Sequence, residues 1–401
     1  MTLLRQRQRQ RQRGVTLIEL MVSLVISMVL SLAVVVVMST FEGRRRTLGA
    51  GADLDQAGSV AMFQIDRWVR SAGTGFAQSN AYAYGCPLYA YKSSVGQILP
   101  LSQALPVPFA SVNPGSSGVF RLAPVLILPG QTTPGAGNAT TTGHTSDVLV
   151  LMSAGASNGN VPTAFSAAAI AGQLNLVNTV PFSANDLVLL TDKQPASSGG
   201  IAPCLLTQAA STVSGGAASA MALGGTWYGA SVDTVSLPGY SDTGVAIDLG
   251  NPVTNLPPSF QLLGVGDHNT LYSYDLLQTS DIPLQARAEG VFEMHALYGV
   301  DTDANGKADT WVKADSGSYT VAALSAGTST AAGLLKTIKE VRIGLILRTA
   351  LPEKDVVTGT TLTLFSDLGS TLAFTRPLDS TEQHYRYRTV EATIPLRNNF
   401  L

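Results

Sequence analysis

The strongest feature of the hydrophobic pattern is a run of uncharged residues near the start of the chain. Leu20 to Phe41 contain no charged side chain, and a helix of this length would extend roughly 33 Å. Because the hydrocarbon core of a bilayer is about 30 Å thick, the run predicts a membrane-spanning helix, which we place at residues 15–41. An ordinary secretory signal fits poorly, since its apolar region is shorter and ends at a small-residue cleavage site.

A helical period continues after the apolar run. Apolar side chains recur every three or four residues and form one stripe, made of Leu54, Ala57, Ala61, Ile65, Trp68 and Ala72. The stripe predicts an amphipathic continuation of the helix within residues 42–75, with one face packed on a folded domain. Gly73 and Gly75 are expected to end it.

Beyond residue 75 the pattern is typical of β-structure. Short apolar runs predict strands at 147–152 and 186–190, and alternating runs predict half-buried antiparallel strands at 292–298 and 341–348. A final strand is expected at 385–396. Segments rich in Gly, Ala, Ser and Thr predict surface loops at 132–143, 153–160, 211–225 and 325–333. The expected fold class is therefore α+β: a long N-terminal helix packed on an antiparallel β-sheet domain, residues 76–401.

Charge and composition restrict the partners. Charged residues make up 13% of the chain and the net charge is −2. The positive charge at the N-terminus comes from five arginines in a leader, residues 1–14, which is typical of a cytoplasmic topology signal. Since no other basic stripe is present, nucleic acid is not expected as the main partner. These features predict a single-pass membrane protein with its N-terminus in the cytoplasm and its C-terminal domain on the other side of the membrane.

One acid, Glu19, stands at the edge of the predicted span. A carboxylate there costs about 2–3 kcal/mol unless it finds a partner. If the chain is cut after Gly14, Val15 gains a free ammonium one helical turn from Glu19, and the two charges can pair within or between subunits. Alternatively, Glu19 reaches the membrane interface by itself.

The residues around Glu19 favour the first interpretation. A basic leader, Gly14 and then Val15-Thr-Leu-Ile-Glu19-Leu closely resemble the class III signal of type IV prepilins and pseudopilins. The resemblance implies that prepilin peptidase cuts after Gly14 and methylates Val15, and that Glu19 is needed for filament assembly. The family usually has Phe or Met where this chain has Val15.

Further segments resemble the PilW family of type IV pilus assembly proteins, namely residues 66–73, 289–303, 341–348 and 387–398. The resemblance implies a minor pilin that helps to initiate or cap the pilus. It also implies a single-pass protein of the bacterial inner membrane whose C-terminal domain lies in the periplasm and which is incorporated into the pilus. Its expected partners are prepilin peptidase, other minor and major pilins, the inner-membrane assembly platform and the membrane itself. The region from about 90 to 285 is only weakly similar.

Two other functions stay open. A pseudopilin of type II secretion has the same architecture but serves a different machine. A signal-anchored periplasmic adhesive or binding protein would remain uncut. An enzyme is not expected, because the sequence has no Gly-x-Ser-x-Gly elbow, no phosphate-binding glycine loop and no paired histidines at metal-binding spacing.

Cys86 and Cys204 are the two cysteines of the chain. In an exported domain an even pair predicts a disulfide, although two buried free thiols are the alternative.

An acidic segment predicts a possible cofactor, Ca²⁺. Oxygen-bearing side chains stand at positions 1, 3, 5 and 9 of a loop with glycine at position 6, and Lys307 would offer its carbonyl group; the candidate ligands are Asp301, Asp303, Asn305, Lys307 and Asp309. Position 12 is Val312 rather than the bidentate acid of an EF-hand. The alternative is a metal-free hairpin turn at Asn305-Gly306. His295 lies on the polar side of its strand, where an exposed side chain is expected.

Overall fold

The first helix of the computed structural model, α1, spans Leu17–Ser71. The structure describes residues 14, 16–115, 118–132, 144–155, 161–196, 199–216, 219–254 and 257–399. The predicted leader, residues 1–13, and Val15 lie outside the described residues. The chain forms two compact units, Met1–Asp53 and Leu54–Leu401.

Within the second unit, α1 is held by one apolar face. Leu54, Ala61, Ile65 and Val69 are buried, whereas Trp68 is only half-buried. Val69, which was not part of the predicted stripe, therefore supplies a core contact. Gly58 allows the helix to lie against the sheet, because a Cβ at this position would overlap Leu347.

Three short helices and 21 strands follow α1 in the described residues. The helices are α2 (Asn80–Ala83), α3 (Val321–Leu324) and α4 (Ser329–Thr337). The first nine strands are β1 (Leu88–Lys92), β2 (Gly96–Leu99), β3 (Val125–Thr132), β4 (Ser146–Ser153), β5 (Thr163–Ile170), β6 (Gln173–Leu176), β7 (Leu187–Asp192), β8 (Cys204–Gln208) and β9 (Ala220–Ala222). The next six are β10 (Ser231–Val232), β11 (Val235–Ser236), β12 (Gly244–Gly250), β13 (Ser259–Gly266), β14 (Thr270–Asp275) and β15 (Leu284–Glu289). The last six are β16 (Val291–Val300), β17 (Thr310–Val312), β18 (Ile338–Arg348), β19 (Thr361–Leu364), β20 (Phe374–Pro377) and β21 (Tyr387–Pro395).

The described strands form three larger sheets and two hairpins. The sheets have the orders β2-β1-β8-β7-β12-β5-β6-β9, β15-β14-β13-β4-β3 and β17-β16-β18-β21, and the hairpins are β10-β11 and β19-β20. Pairing is antiparallel except between β1 and β8, which are parallel. The long apolar helix and the antiparallel domain confirm the predicted α+β class.

Apolar side chains form three cores within the second unit. The largest joins α1 to the inner faces of the sheets and includes Ile65, Phe260, Met294 and Ile343. A second lies between the opposite face of the eight-stranded sheet and the β10-β11 region. A third covers the outer face of β16 and β18 with the β19-β20 hairpin.

Two expectations about the last third of the chain are wrong. Residues 325–333 are not one surface loop, because α4 begins at Ser329 and its N-cap Thr328 accepts a hydrogen bond from the Ala331 N–H at 3.2 Å. Likewise β16 is buried at every position rather than half-buried. Its outer face is covered because the segment between β18 and β21 folds back over it.

Candidate functional site

The N-terminal end of α1 holds the predicted assembly residues. The Thr16 carbonyl accepts hydrogen bonds from the Glu19 and Leu20 N–H groups at 3.0 and 3.1 Å, and its hydroxyl accepts from Glu19 at 3.3 Å. Glu19 therefore lies in the first turn, where the helix dipole favours an acid. Gly14 is exposed, while its predicted cleavage partner, Val15, is outside the described residues.

The helix after Glu19 has the properties of a membrane span. Leu17–Ser39 has a mean hydropathy of 2.9, and none of its most apolar window is buried within the structure. The segment is long and apolar enough to cross a bilayer, by length and composition. A buried core helix passes the same length test, but this helix is exposed.

The serine hydroxyl groups of this segment form hydrogen bonds within the helix. Ser23, Ser27 and Ser31 donate hydrogen bonds to the carbonyl groups of Leu20, Ser23 and Ser27 at 2.8–2.9 Å. With Glu19 they follow one another in steps of four residues, so they share one side of the helix. Satisfied hydroxyls are compatible with an apolar environment, and small side chains allow neighbouring helices to approach closely. The regular spacing of these serines in the sequence is the signal that indicates this stripe, which was not among the predicted features.

The two cysteines form a disulfide. Cys86 and Cys204 have their Cα atoms 5.6 Å apart and are separated by 118 positions in the sequence. Both are fully buried. The bond joins the segment before β1 to the start of β8, the pair of strands that run parallel.

The acidic loop between β16 and β17 gathers three carboxylates. Ligand oxygens of Asp301, Asp303 and Asp309 all lie within 4.8 Å of one another. Ala304 and Gly306 have positive φ values of 60° and 84°, which turn the chain back sharply. The loop therefore concentrates negative charge at one point, an arrangement that a divalent cation stabilises.

The same carboxylates also hold the loop in shape. Asp301 accepts hydrogen bonds from the Asn305 and Gly306 N–H groups at 3.1 and 2.8 Å. Asp309 accepts hydrogen bonds from the Thr302 N–H at 2.8 Å and from the hydroxyl groups of Thr310 and Thr302. These hydrogen bonds lower the pKa of Asp309, and the bond from the Thr310 hydroxyl has the largest effect. The geometry suits both a hydrogen-bonded turn and a loop whose remaining lone pairs bind a cation. The side-chain amide nitrogen of Asn305 donates a hydrogen bond to Asp303. The side-chain oxygen of Asn305 accepts a hydrogen bond from the Lys307 N–H.

A second group of charges is buried on the outer face of β16. We define the buried charge cluster as Asp147, Glu293, His295, Arg376 and Glu382. The Arg376 side chain is 2% exposed and donates to Glu293 at 2.6 Å and to Glu382 at 2.7 Å. These pairs attach β20 and the segment before β21 to the four-stranded sheet.

The expectation that His295 is exposed is wrong. His295 is 8% exposed, stacks on Phe374 with ring centroids 3.6 Å apart, and lies 3.6 Å from Asp147 and 3.4 Å from Glu293. Burial acts to lower its pKa, but hydrogen bonds and attraction from these two acids outweigh burial and raise the pKa to about 9. His144 borders the cluster, and its pKa is lowered by burial and by Arg376.

Asn398 and Asn399 form hydrogen bonds near the C-terminal end of α1. The Asn398 side-chain amide donates to the Ala72 carbonyl at 3.1 Å and to the Thr74 hydroxyl at 2.8 Å. Asn399 donates to the carbonyls of Leu335 and Ile338 and accepts from the Tyr84 hydroxyl. The last described residues thus tie α1 to α4 and β18.

A long exposed apolar helix therefore precedes a mostly antiparallel β domain in an α+β fold. The family model of Type IV Pilus-assembly protein W matches residues 264–398, and the model of the Prokaryotic N-terminal methylation motif matches residues 9–35. These matches confirm the resemblance to PilW and to prepilins, and they are consistent with a PilW-family prepilin-like protein in the type IV pilus system. Pilus assembly families are structural. No curated protein and no solved structure matches the chain.

Proposed function

We propose that the chain is a minor pilin of the type IV pilus. In this proposal prepilin peptidase cleaves after Gly14 and methylates Val15, and α1 then holds the subunit in the inner membrane as a single-pass protein with its C-terminal domain in the periplasm. The observation that carries the proposal is the coincidence of the methylation-motif match with an exposed apolar helix whose first turn contains an acid. The PilW match favours the pilus over a secretion pseudopilus.

The mechanism is assembly rather than catalysis. When α1 leaves the bilayer for a filament, neighbouring helices replace lipid around its apolar surface. Glu19 supplies a charge contact with an N-terminal ammonium, which is strong because the surroundings are apolar. The serines at 23, 27 and 31 permit close helix packing because their hydroxyl groups are already satisfied. The subunit would serve at low abundance to initiate or cap the pilus, at or near its tip.

The first experiment is the N-terminal mass of the chain purified from its own host, with and without prepilin peptidase. We expect a start at methylated Val15 that is lost in the peptidase mutant and in Gly14→Val. A chain that keeps its leader in wild-type cells would show that the motif is only an anchor.

Incorporation is tested separately from processing. Glu19→Ala should be cut normally yet co-purify with sheared pili at least tenfold less than wild type. Glu19→Asp, which keeps the charge, should retain part of the incorporation. If Glu19→Ala enters pili as well as wild type, the proposed charge contact is wrong.

A second proposal concerns the acidic loop: we propose that it binds Ca²⁺ weakly. Three carboxylates converge within 4.8 Å, and the Lys307 carbonyl and water would complete an oxygen shell. Val312 offers no bidentate acid, so the affinity should lie well below that of an EF-hand sensor.

Calcium binding is tested by thermal unfolding of the full chain in detergent with Ca²⁺ or with chelator. Wild type should melt several degrees higher in millimolar Ca²⁺, while Asp303→Asn with Asp309→Asn should show no shift. Both side chains are exposed, so the variant should fold. Asp281→Asn with Asp355→Asn removes the same charge elsewhere and should respond like wild type. An equal shift with Mg²⁺, or in the loop variant, would contradict the proposal.

A further inference from the structure

A cleft of 880 Å³ opens in the second unit where five segments meet. They are the chain around Pro87 and Tyr89, the chain at Arg121, residues 194–196 with 199–203 between β7 and β8, the residues from Thr234 to Ser241, and residues 326–328 between α3 and α4. The volume falls in the range of small-molecule sites, about 300–1,000 Å³. Most of the lining lies outside residues 264–398, so the match to PilW does not account for it.

Arg121 brings an unneutralised positive charge to this cleft. Its Nη1 donates to the Gly85 carbonyl at 2.8 Å, and its Nε is shielded from solvent without a hydrogen-bond partner in the described structure. Burial lowers its pKa, and among the described residues no carboxylate forms an ion pair with it. Arg342 and Arg376, in contrast, each pair with two acids. A half-buried cation without a counter-ion is unfavourable, and a bound anion would remove that cost.

The acid in the lining does not serve as this counter-ion. Asp192 accepts hydrogen bonds from the Gln194 and Ser241 N–H groups, both at 2.9 Å, and from the hydroxyl groups of Ser241 and Thr243. Four donors occupy its lone pairs. Asp192 therefore fixes the wall of the cleft and leaves the charge of Arg121 available.

The rest of the lining suits a ligand that carries hydroxyl groups. Thr234, Ser236 and Thr328 offer hydroxyls beside glycines and exposed backbone, and large aliphatic side chains are few. Thr328 is also the N-cap of α4, so the positive end of that helix lies at the same wall. A lipid chain would find little apolar surface here.

The disulfide stabilises the shape of the cleft. Pro87 and Pro203 both line it, and they directly adjoin the bonded Cys86 and Cys204. Arg121 pairs with Pro87 in an isolated β-bridge. The cation and two walls are thus fixed to one covalent cross-link, as a preformed site requires.

We propose that this cleft binds a carboxylate-bearing sugar of the uronic-acid class. The carboxylate pairs with the Arg121 guanidinium, and the sugar hydroxyls hydrogen-bond to Thr234, Ser236 and the adjacent backbone. This binding function is independent of pilus assembly and gives the middle of the chain a role in recognition.

Calorimetric titration of the full chain in detergent separates the two halves of the ligand. Glucuronate carries both groups, glucose carries hydroxyls without a carboxylate, and acetate carries a carboxylate without hydroxyls. Glucuronate should bind at least tenfold more tightly than either. If glucose or acetate binds as tightly as glucuronate, the proposal is overturned. It is also overturned if glucuronate does not bind at about 20 mM, a concentration that would nearly saturate a site with a millimolar Kd.

Variants locate the site. Arg121→Gln should weaken glucuronate at least tenfold. Arg287→Gln is the matched control, because Arg287 is also half-buried, has its pKa lowered by burial and lies over Trp68 outside the cleft. It should bind like wild type. Unchanged binding by Arg121→Gln, or equal losses in both variants, would refute the assignment.

A milder variant decides the question if Arg121→Gln does not fold. Ser236→Ala removes a half-buried hydroxyl from the lining. It should weaken glucuronate severalfold and leave acetate unchanged, while unchanged glucuronate binding would overturn the hydroxyl contacts.

Discussion

His295 shows how a single residue can make the stability of this domain depend on pH. Because Asp147 and Glu293 raise its pKa to about 9, the folded state holds the proton more tightly than the unfolded chain, whose histidine has a pKa near 6.5. The contribution is fully present below pH 6.5 and is lost as the pH rises through about 9. His144 has the opposite effect, because burial and Arg376 lower its pKa in the folded state. As the pH falls below about 6.5, the unfolded chain takes up this proton more readily than the folded state, and the free energy of unfolding falls.

We therefore expect the free energy of unfolding of wild type to fall by roughly 1–3 kcal/mol between pH 6.5 and 9.5, and that of His295→Gln to change less. Urea unfolding of the full chain in detergent at these two pH values measures the difference. His268→Asn is the control, since His268 is exposed and its φ of 59° suits asparagine. A slope in His295→Gln as steep as that of wild type would show that other groups cause the pH dependence.

Single residues can be assigned a predicted role from the sequence where the signal is local. Gly14, Val15 and Glu19 stand within one short motif whose match covers residues 9–35. His295 could not be assigned in the same way, because its partners include Asp147 and because Phe374, which covers it, comes from a distant hairpin. Strand periodicity identifies the face of a residue but does not show what packs on that face.

At the scale of elements, the sequence predicted β4, β7, β16, β18 and β21 close to their observed bounds, but it did not predict what packs around them. The alternation in β18 correctly assigns Val341, Ile343 and Leu345 to the large core. Simple alternation along β16 would place Phe292 on the same side as Met294, yet Phe292 packs in the third core, since the register shifts between Val291 and Glu293. A bulge of this kind has no signature in hydrophobic alternation.

The contact between α1 and residues near the C-terminus also cannot be predicted from the local sequence pattern. Asn398 reaches the carbonyls of the last turn of α1 across more than 300 positions. These carbonyls have no partner within the helix, so the amide satisfies groups that a helix end leaves open. The part of α1 from Leu54 onward and Asn398 therefore lie in the same compact unit.

At the scale of the whole molecule, the strand order and the short strands in the middle of the chain make this region hard to predict from its sequence. The eight-stranded sheet draws strands from residues 88 to 250 and places several of them out of sequence order, with β1 beside β8 and β12 between β7 and β5. Its edge strands β2 and β9 and the β10-β11 hairpin are only two to four residues long. Periods need longer runs to be recognised, and the pairing of β1 with β8 depends on a contact over more than a hundred residues.

The disulfide cross-links the two distant segments that pair in parallel. Its removal should change the free energy of unfolding of the domain. Cys86 and Cys204 close a loop of 118 positions, for which loss of chain entropy in the unfolded state contributes about 4–5 kcal/mol. Cys86→Ala with Cys204→Ala should lower the free energy of unfolding by up to this amount, as measured by urea unfolding of the full chain in detergent. Wild type with its disulfide reduced should unfold like the double variant, because both lack the same cross-link. If wild type is as stable reduced as oxidised, the parallel pairing of β1 and β8 holds by packing and hydrogen bonds alone.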